Sequence, residues 1–252
     1  MIHFVGAGPG APDLITLRGQ RLLEAADVVI YAGSLVNPAL LSACRQGCAI
    51  HDSAGMTLEA VVAVMRAAYA DGREVVRLHT GDPSMYGAIR EQMDALDELA
   101  IPHDITPGVS AMNAAAAAIG AEYTLPEVSQ TVIVTRMAGR TPVPEKERMA
   151  ALAAHGSTMV VFLSMGLLRA LSRELMEGGY AADAPAAIVY KASWPDERVV
   201  RCTVATLEEA ATANGISRTA LILVGGFLGD GYARSRLYDP AFTHGFREGN
   251  AP

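Results

Sequence analysis

Val75-Val-Arg-Leu-His-Thr-Gly-Asp-Pro-Ser-Met-Tyr-Gly87 decides how this chain folds. Its apolar opening, Val75 to Leu78, is short and runs into the turn-forming Thr80-Gly-Asp-Pro83, which reads as a buried parallel strand feeding a loop. The N-terminus repeats the arrangement, with Ile2 to Val5 running into Gly6-Ala-Gly-Pro-Gly10. In an open α/β sheet, ligands bind at the carboxyl ends of the strands. Two glycine loops on that edge imply a small-molecule site with close backbone approach.

The same alternation extends along the chain. Strands are expected over 2–5, 28–31, 49–51 and 75–78, and helices over 17–26, 58–71 and 86–99, with Thr16 and Thr57 as N-caps. Leu58, Val61, Val62, Met65 and Ala68 form one apolar helix face. The alanine-rich segment 111–119 reads as a closely packed, buried helix. A seam follows at Gly120-Ala-Glu-Tyr-Thr-Leu-Pro126. Beyond it, strands are expected over 131–135, 158–163, 186–190, 199–204 and 220–224, and helices over 145–154, 167–176 and 207–213. This predicts an α/β fold of two α/β domains, residues 1–119 and 120–237, with a tail at 238–252. A ligand crevice is expected between the domains, where such sites are favoured.

Composition narrows the function. With 252 residues, 51% of them hydrophobic, the chain is long enough for two modest domains. No apolar run approaches a membrane span. The start, Met1-Ile-His-Phe, lacks the basic region of a secretory signal, so a cytoplasmic protein is expected. A net charge of −7 argues against nucleic acid as a partner. Cys44, Cys48 and Cys202 have no zinc or redox spacing, and the histidines form no HxxxH or HxH pair, so no protein metal site is expected.

The first loop departs from the dinucleotide fingerprint. Ala11 stands where GxGxxG needs its third glycine, and Pro9 and Pro12 remove backbone N–H groups that a phosphate would use. A loop for a non-phosphate small molecule is favoured over an NAD loop. In the second loop, Asp82-Pro83 has the composition of a helix N-cap followed by a first-turn proline. A cap, however, requires neither Thr80-Gly81 before it nor Met85-Tyr86-Gly87 after it.

These loops, with the segments between and beyond them, carry a family resemblance. Gly6-Ala-Gly-Pro-Gly10, Asp13-Leu-Ile-Thr-Leu17, Ala26-Asp-Val-Val-Ile-Tyr31, Thr80-Gly-Asp-Pro83 with Tyr86-Gly87, and Pro107-Gly-Val-Ser-Ala111 occur in the order seen in the tetrapyrrole methylases. Phe162-Leu-Ser-Met-Gly-Leu167, Lys191-Ala-Ser-Trp-Pro-Asp-Glu-Arg198 and Thr219-Ala-Leu-Ile-Leu-Val-Gly225 continue it, so the chain resembles that family over about residues 1–237. Tyr31-Ala-Gly-Ser-Leu-Val-Asn37, His51-Asp-Ser-Ala-Gly-Met56 and Thr135-Arg-Met-Ala-Gly-Arg-Thr-Pro-Val-Pro-Glu145 resemble the branch that methylates C-11 of precorrin-4. Uroporphyrinogen methyltransferases usually carry a charged Tyr-Asp pair at the first of these segments.

The resemblance implies two α/β domains with S-adenosylmethionine (SAM) in the crevice, a homodimer, and methyl transfer to C-11 of precorrin-4 or cobalt-precorrin-4 in cobalamin biosynthesis. Sister tetrapyrrole methylases are the nearest alternative, and a dinucleotide-dependent oxidoreductase a remote one. Matched onto the family's cofactor contacts, the expected SAM-binding residues are Pro9, Thr80, Gly81, Asp82, Met85, Ser110, Ala111, Met165, Ala192 and Ala220. Asp82 would offset positive charge on the cofactor or act as a cap. The chemistry needs alignment more than a catalytic group, so no catalytic residue is singled out. A precorrin bears eight carboxylates, so a local basic rim must override the net acidic charge. Arg18, Arg90, Arg136, Arg140, Lys191 and Arg198 are the candidates. Arg136 and Arg140 rank first, because arginine grips a carboxylate bidentately and both lie in a branch-specific segment; Lys191 is kept as a further substrate-binding candidate. Arg198 is expected to be structural.

Overall fold

The computed structural model describes residues 1–33 and 35–250. It divides into two units, the first made of Met1–Ala114 with Lys191–Glu197, the second of Ala115–Tyr190 with the chain from Arg198 onward. The first unit holds five parallel strands: β1 (Ile2–Gly6), β2 (Val28–Tyr31), β3 (Ala49–Asp52), β4 (Val75–His79) and β5 (His103–Thr106), in the order β3-β2-β4-β1-β5. Helix α1 (Leu17–Ala25) covers one face and helices α2 (Leu58–Ala70) and α3 (Arg90–Glu98) the other. Strand alternation does the sorting. Ile2, Phe4, Val28 and Ile30 join Val61, Met65 and Leu96 on one side; Val5, Val29, Val76 and Leu78 join Leu23 on the other. Each such fully buried side chain contributes about 1.5–3 kcal/mol.

The expected caps are present. Thr16 Oγ1 accepts the Gly19 N–H at 3.1 Å and Thr57 Oγ1 accepts the Ala60 N–H at 3.3 Å. Val61, Met65 and Ala68 are buried as expected on α2, while Leu58 and Val62 are only half buried. Strand β5 has no apolar run to announce it. Its ladder with β1 makes it a strand, and His3 Nδ1 bonds Asp104 across that pair at 2.8 Å. The helix expected from residue 86 begins only at Arg90, because Tyr86 (φ 57°) and Ala88 (φ 49°) hold left-handed backbone that cannot continue a helix.

Helix α4 (Ala111–Ile119) has the expected bounds but not the expected burial. Ala114 and Ala115 are buried, whereas Asn113 and Ala117 are exposed. The division between the units falls within this helix, ahead of the seam read from sequence, and Lys191–Glu197 joins the first unit.

The second unit holds β6 (Val132–Arg136), β7 (Thr158–Phe162), β8 (Pro185–Tyr190), β9 (Arg198–Thr203) and β10 (Ala220–Val224), in the order β6-β7-β10-β8-β9. Only β6 and β7 are parallel, so this sheet is mixed. Helices α5 (Met149–Ala153), α6 (Leu168–Glu177) and α7 (Leu207–Ala213) bury Met149, Leu171, Leu175 and Leu207 against Met159, Val161, Ile188 and Ile222. The single helix expected over 145–154 is broken at Arg148, whose ψ of 144° is extended. Among the described residues, no helix is long and apolar enough to cross a membrane.

Candidate functional site

Neighbouring strands β1 and β4 send their connections to opposite faces, β1 to α1 and β4 to α3. Their carboxyl ends therefore form a topological switch point, the place where open α/β sheets bind ligands. Both glycine loops lie there, and the loop after β5 joins them. A Cβ on Gly6 would fall 2.5 Å from Gly108 Cα and 2.7 Å from the Gly81 carbonyl oxygen, and one on Gly108 only 2.2 Å from that same oxygen. Gly8 and Gly81 exchange backbone bonds, with N···O distances of 3.3 and 2.8 Å. Gly6 and Gly108 are thus required so that the loops can meet each other, not so that a ligand can approach. Gly81 differs. Its φ of +61° favours glycine, and a Cβ there would meet the backbone of Val109, Ser110 and Ala111 at 3.5 Å or more.

Asp82 locks the arrangement. Its Oδ2 accepts the Gly108 N–H at 2.8 Å, and its Oδ1 accepts the Ser84 N–H at 2.9 Å and the Ser84 hydroxyl. Burial alone would raise this carboxyl's pKa, but the bonds from Ser84 and Gly108 outweigh it and hold the group below its ordinary value. Asp82 is therefore not the cap of α3, which starts eight residues later at Arg90. It is a clasp between two loops.

Pro9 is buried and its carbonyl accepts the indole N–H of Trp194 at 3.0 Å. Thr80 donates its hydroxyl to the Leu35 carbonyl at 3.3 Å, and Met85 is half buried in the turn that Asp82 closes. Ser110 is buried at the start of α4, where its carbonyl accepts the Asn113 and Ala114 N–H groups, with Ala111 beside it. Ala192 is buried in the Lys191–Glu197 segment. The first unit thus brings together the loops carrying Pro9, Thr80 to Met85, and Ser110 to Ala111.

Sequence reading overlooked two polar residues beneath the second loop. Arg77 is 7% exposed and His79 4%. Arg77 donates Nε–H to Gln92 Oε1 at 3.0 Å and an Nη1–H to the Ile30 carbonyl at 3.3 Å. Gln92 Nε2 in turn donates to the Ala88 carbonyl at 2.8 Å, so the strained end of the loop is pinned from below. Burial lowers the Arg77 pKa to about 10. Burial, and then the neighbouring Arg77 charge, lowers that of His79 to about 3, and His79 Nε2 has no hydrogen-bond partner. The imidazole is neutral and stacks on Phe4, ring centres 6.1 Å apart. The signal was available: both residues interrupt the apolar pattern of Val75–His79 on the face that carries the core.

In the second unit, strand direction gathers Arg136 at the end of β6, Met165 just after β7 and Ala220 at the start of β10 on one edge of the sheet. Leu163 (φ 52°) and Thr219 (φ 55°) flank them in left-handed backbone. Ser164, which sequence reading passed over, is fully buried and accepts the Met137 N–H at 2.9 Å, tying the exits of β6 and β7 together. An open groove of about 450 Å³ runs beside Met165 between α6 and α7.

The expected carboxylate-binding cations fare differently. Arg136 donates from Nη1 to the carbonyls of Met137 (3.2 Å) and Thr141 (3.1 Å) and from Nη2 to that of Pro142 (2.8 Å). Its guanidinium thus bonds within its own loop. Lys191 Nζ bonds Asp196 at 2.7 Å and lies 5.2 Å from the centre of the Trp194 ring. Arg90 pairs with Asp94, and Arg198 stacks on Tyr190 and donates to the Asn214 carbonyl, a structural role as expected. Arg140 and Arg18 are exposed. The three cysteines are free thiols, with Cys44 and Cys202 pushed up to about 11 by burial. Among the described residues, no group of three or more His, Cys, Asp or Glu is placed to hold a metal ion.

Comparison with known proteins converges on one family. The model of the Tetrapyrrole (Corrin/Porphyrin) Methylases matches residues 1–208. The cobalt-precorrin-4 C(11)-methyltransferase of Methanocaldococcus jannaschii is 52% identical over 248 residues, 98% of this chain and 96% of that protein. The precorrin-4 C(11)-methyltransferase of Pseudomonas aeruginosa is 47% identical over 249 residues, 98% and 99% of the two chains. Among solved structures, a cobalt precorrin-4 methyltransferase of cobalamin biosynthesis superposes with a TM-score of 0.89 at 48% identity, covering 91% of this chain and 96% of that one. The uroporphyrin-III C-methyltransferase of Thermus thermophilus, complexed with S-adenosylhomocysteine (SAH), gives a TM-score of 0.74 at 27% identity, covering 90% and 92%.

Proposed function

The chain belongs to the tetrapyrrole (corrin/porphyrin) methylase family, and on that premise we propose that it transfers the methyl group of SAM to C-11 of precorrin-4 or its cobalt form. The products are precorrin-5, with or without cobalt, and SAH, with the charge carried over by the methyl group released as a proton to water, a step of cobalamin biosynthesis. Near-complete coverage of relatives bearing that name, at 47–52% identity, supports the choice of carbon.

The observation that carries the cofactor reading is the meeting of Gly6, Gly81 and Gly108 at the switch point of the first sheet. A bound sulfonium cofactor supplies an electrophilic methyl group, and the tetrapyrrole carbon is the nucleophile. What the chain contributes is placement, with reacting atoms brought to roughly 3–3.5 Å in line. Gly81 keeps the backbone beside Ser110 and Ala111 free of a side chain, the Pro9 ring gives an apolar wall, and the Met85 thioether a polarisable one. Asp82 fixes the loops that present these groups. Ala192, buried in the Lys191–Glu197 segment of the same unit, belongs to the proposed cofactor set. Arg140, exposed on the branch-specific loop that Arg136 shapes, is the first candidate for a substrate carboxylate, with Lys191 the second. We propose a cytoplasmic protein whose working form is a homodimer; the mean hydropathy of +0.24 favours the dimer, and sedimentation at micromolar concentration tests the assembly.

Two titrations test the cofactor reading. SAH should bind the wild type with one site per chain by calorimetry. Gly81→Val should weaken that affinity at least tenfold while leaving a cooperative thermal transition, since a β-branched residue at φ +61° costs on the order of 1–3 kcal/mol. Wild-type protein that binds NAD and not SAH would overturn the reading.

A further inference from the structure

Lys191-Ala-Ser-Trp-Pro-Asp-Glu197 follows β8 in the sequence yet folds as part of the first unit, where it engages the first glycine loop at three successive positions. The Trp194 indole N–H donates to the Pro9 carbonyl at 3.0 Å. The Trp194 ring fills the space over Gly10, where a Cβ would come within 2.1 Å of it. Ser193 Oγ accepts the Ala11 N–H at 3.0 Å. Asn37 Nδ2 completes the set by donating to the Gly10 carbonyl at 2.8 Å. Gly10 is therefore glycine to admit an indole, not a phosphate.

The segment is itself held rigidly. Trp194 N–H donates to the Lys191 carbonyl at 2.9 Å, Glu197 N–H to the Trp194 carbonyl at 3.0 Å, and Ser193 N–H to Glu197 Oε2 at 2.6 Å. Lys191 (φ 47°) and Ser193 (φ 69°) sit in left-handed backbone, a strained state that persists only where surrounding bonds enforce it. The strain has a visible result: it aims the indole and the Ser193 hydroxyl at the loop.

We infer that Trp194 is a positioning residue for SAM, holding Pro9–Ala11 in the shape that receives the cofactor without touching the reacting atoms. This rests on the cofactor reading above. A glycine-rich loop left to itself would have to be ordered on binding, and that ordering would be charged against affinity. With Trp194 in place it is ordered beforehand. The predicted effect therefore lies in cofactor affinity and not in the methyl-transfer step.

The test compares the wild type with Trp194→Ala, Trp194→Phe and Ser193→Ala. Each is measured for SAH Kd by calorimetry, for KM of SAM, for kcat at saturating SAM, and for its thermal transition. Trp194→Ala should raise Kd and KM tenfold or more, and Trp194→Phe, which keeps a ring and loses the N–H, three- to fivefold. In both, kcat at saturating SAM should stay within twofold of wild type. A folded Trp194→Ala protein with wild-type Kd, or one whose kcat falls while KM is unchanged, overturns the inference. If Trp194→Ala does not fold, Trp194→Phe and Ser193→Ala decide by the same split. Failure of the wild type to bind SAH would instead remove the cofactor reading, so the two failures are distinguishable.

Discussion

The Asp82 carboxylate accepts the backbone N–H of Gly108 at 2.8 Å and so ties the loop after β4 to the loop after β5. A carboxylate bonded in this way serves geometry, and a carboxylate facing a sulfonium would serve charge. The two roles separate by ligand. As a clasp, Asp82→Asn should weaken SAM and SAH by the same factor, because both need the same loop shape. A charge role would cost SAM affinity and spare SAH. Asp82→Ala should also lower stability by about 1.5–3 kcal/mol, the usual contribution of a hydrogen bond to a charged group. Calorimetric titration with both ligands, together with urea denaturation, checks these outcomes.

Arg77, Gln92 and the Ala88 carbonyl form a chain of bonds that supports the far end of the same loop. Gln92→Leu leaves the buried guanidinium without its side-chain acceptor and should cost about 1.5–3 kcal/mol of stability. Replacing both residues, as Arg77→Met with Gln92→Leu, removes the buried charge and should recover much of that loss. SAH affinity should not recover, since Ala88 remains unpinned. Denaturation and calorimetry on the single and double variants measure both quantities.

His79 gives the fold a pH dependence of predictable sign. Its pKa is lowered to about 3 in the folded state, first by burial and then by the Arg77 charge, against about 6.5 when unfolded. The unfolded chain therefore binds the extra proton first. The stability due to the neutral imidazole is complete above pH 6.5 and is lost progressively as pH falls toward 3. Between pH 7 and pH 5 this single group should account for a loss of about 2 kcal/mol. His79→Phe, which keeps a ring against Phe4, should flatten that part of the profile in urea titrations at the two pH values. An equally steep profile in the variant would remove His79 as its source.

Arg136 and Arg140 should show different signatures despite lying four residues apart. Arg140→Ala removes an exposed cation and should raise KM for the tetrapyrrole while leaving SAH affinity within twofold of wild type. Arg136→Lys keeps the charge but cannot reproduce bonds to the carbonyls of Met137, Thr141 and Pro142. It should therefore raise the tetrapyrrole KM nearly as much as Arg136→Ala. Full rescue by lysine would show that charge alone matters at that position.

Much of this was legible in the sequence for a physical reason. The central strands, the Thr16 and Thr57 caps and the glycine loops are local features, written in apolar runs and turn residues. Strand β5 was not legible, because His103-Asp-Ile-Thr106 is a strand only through its partner β1. The late start of α3 depends on left-handed Tyr86 and Ala88, which no propensity foretells. The Trp194–Pro9 bond spans 185 positions, so neither residue hints at the other. Arg136 bonds the carbonyls of Met137, Thr141 and Pro142, contacts that exist only in the folded loop. No local pattern in the sequence announces that the loop folds back onto it.

The most direct test of the central claim is incubation of the protein with precorrin-4 or cobalt-precorrin-4 and SAM carrying a ¹³C-labelled methyl group. The product is then analysed by mass spectrometry and NMR. The predicted result is a single added methyl with its ¹³C label on C-11 and one equivalent of SAH released. A label on any other carbon would keep the family and refute the assigned step, and SAM consumption with no methylated tetrapyrrole would contradict the account as a whole.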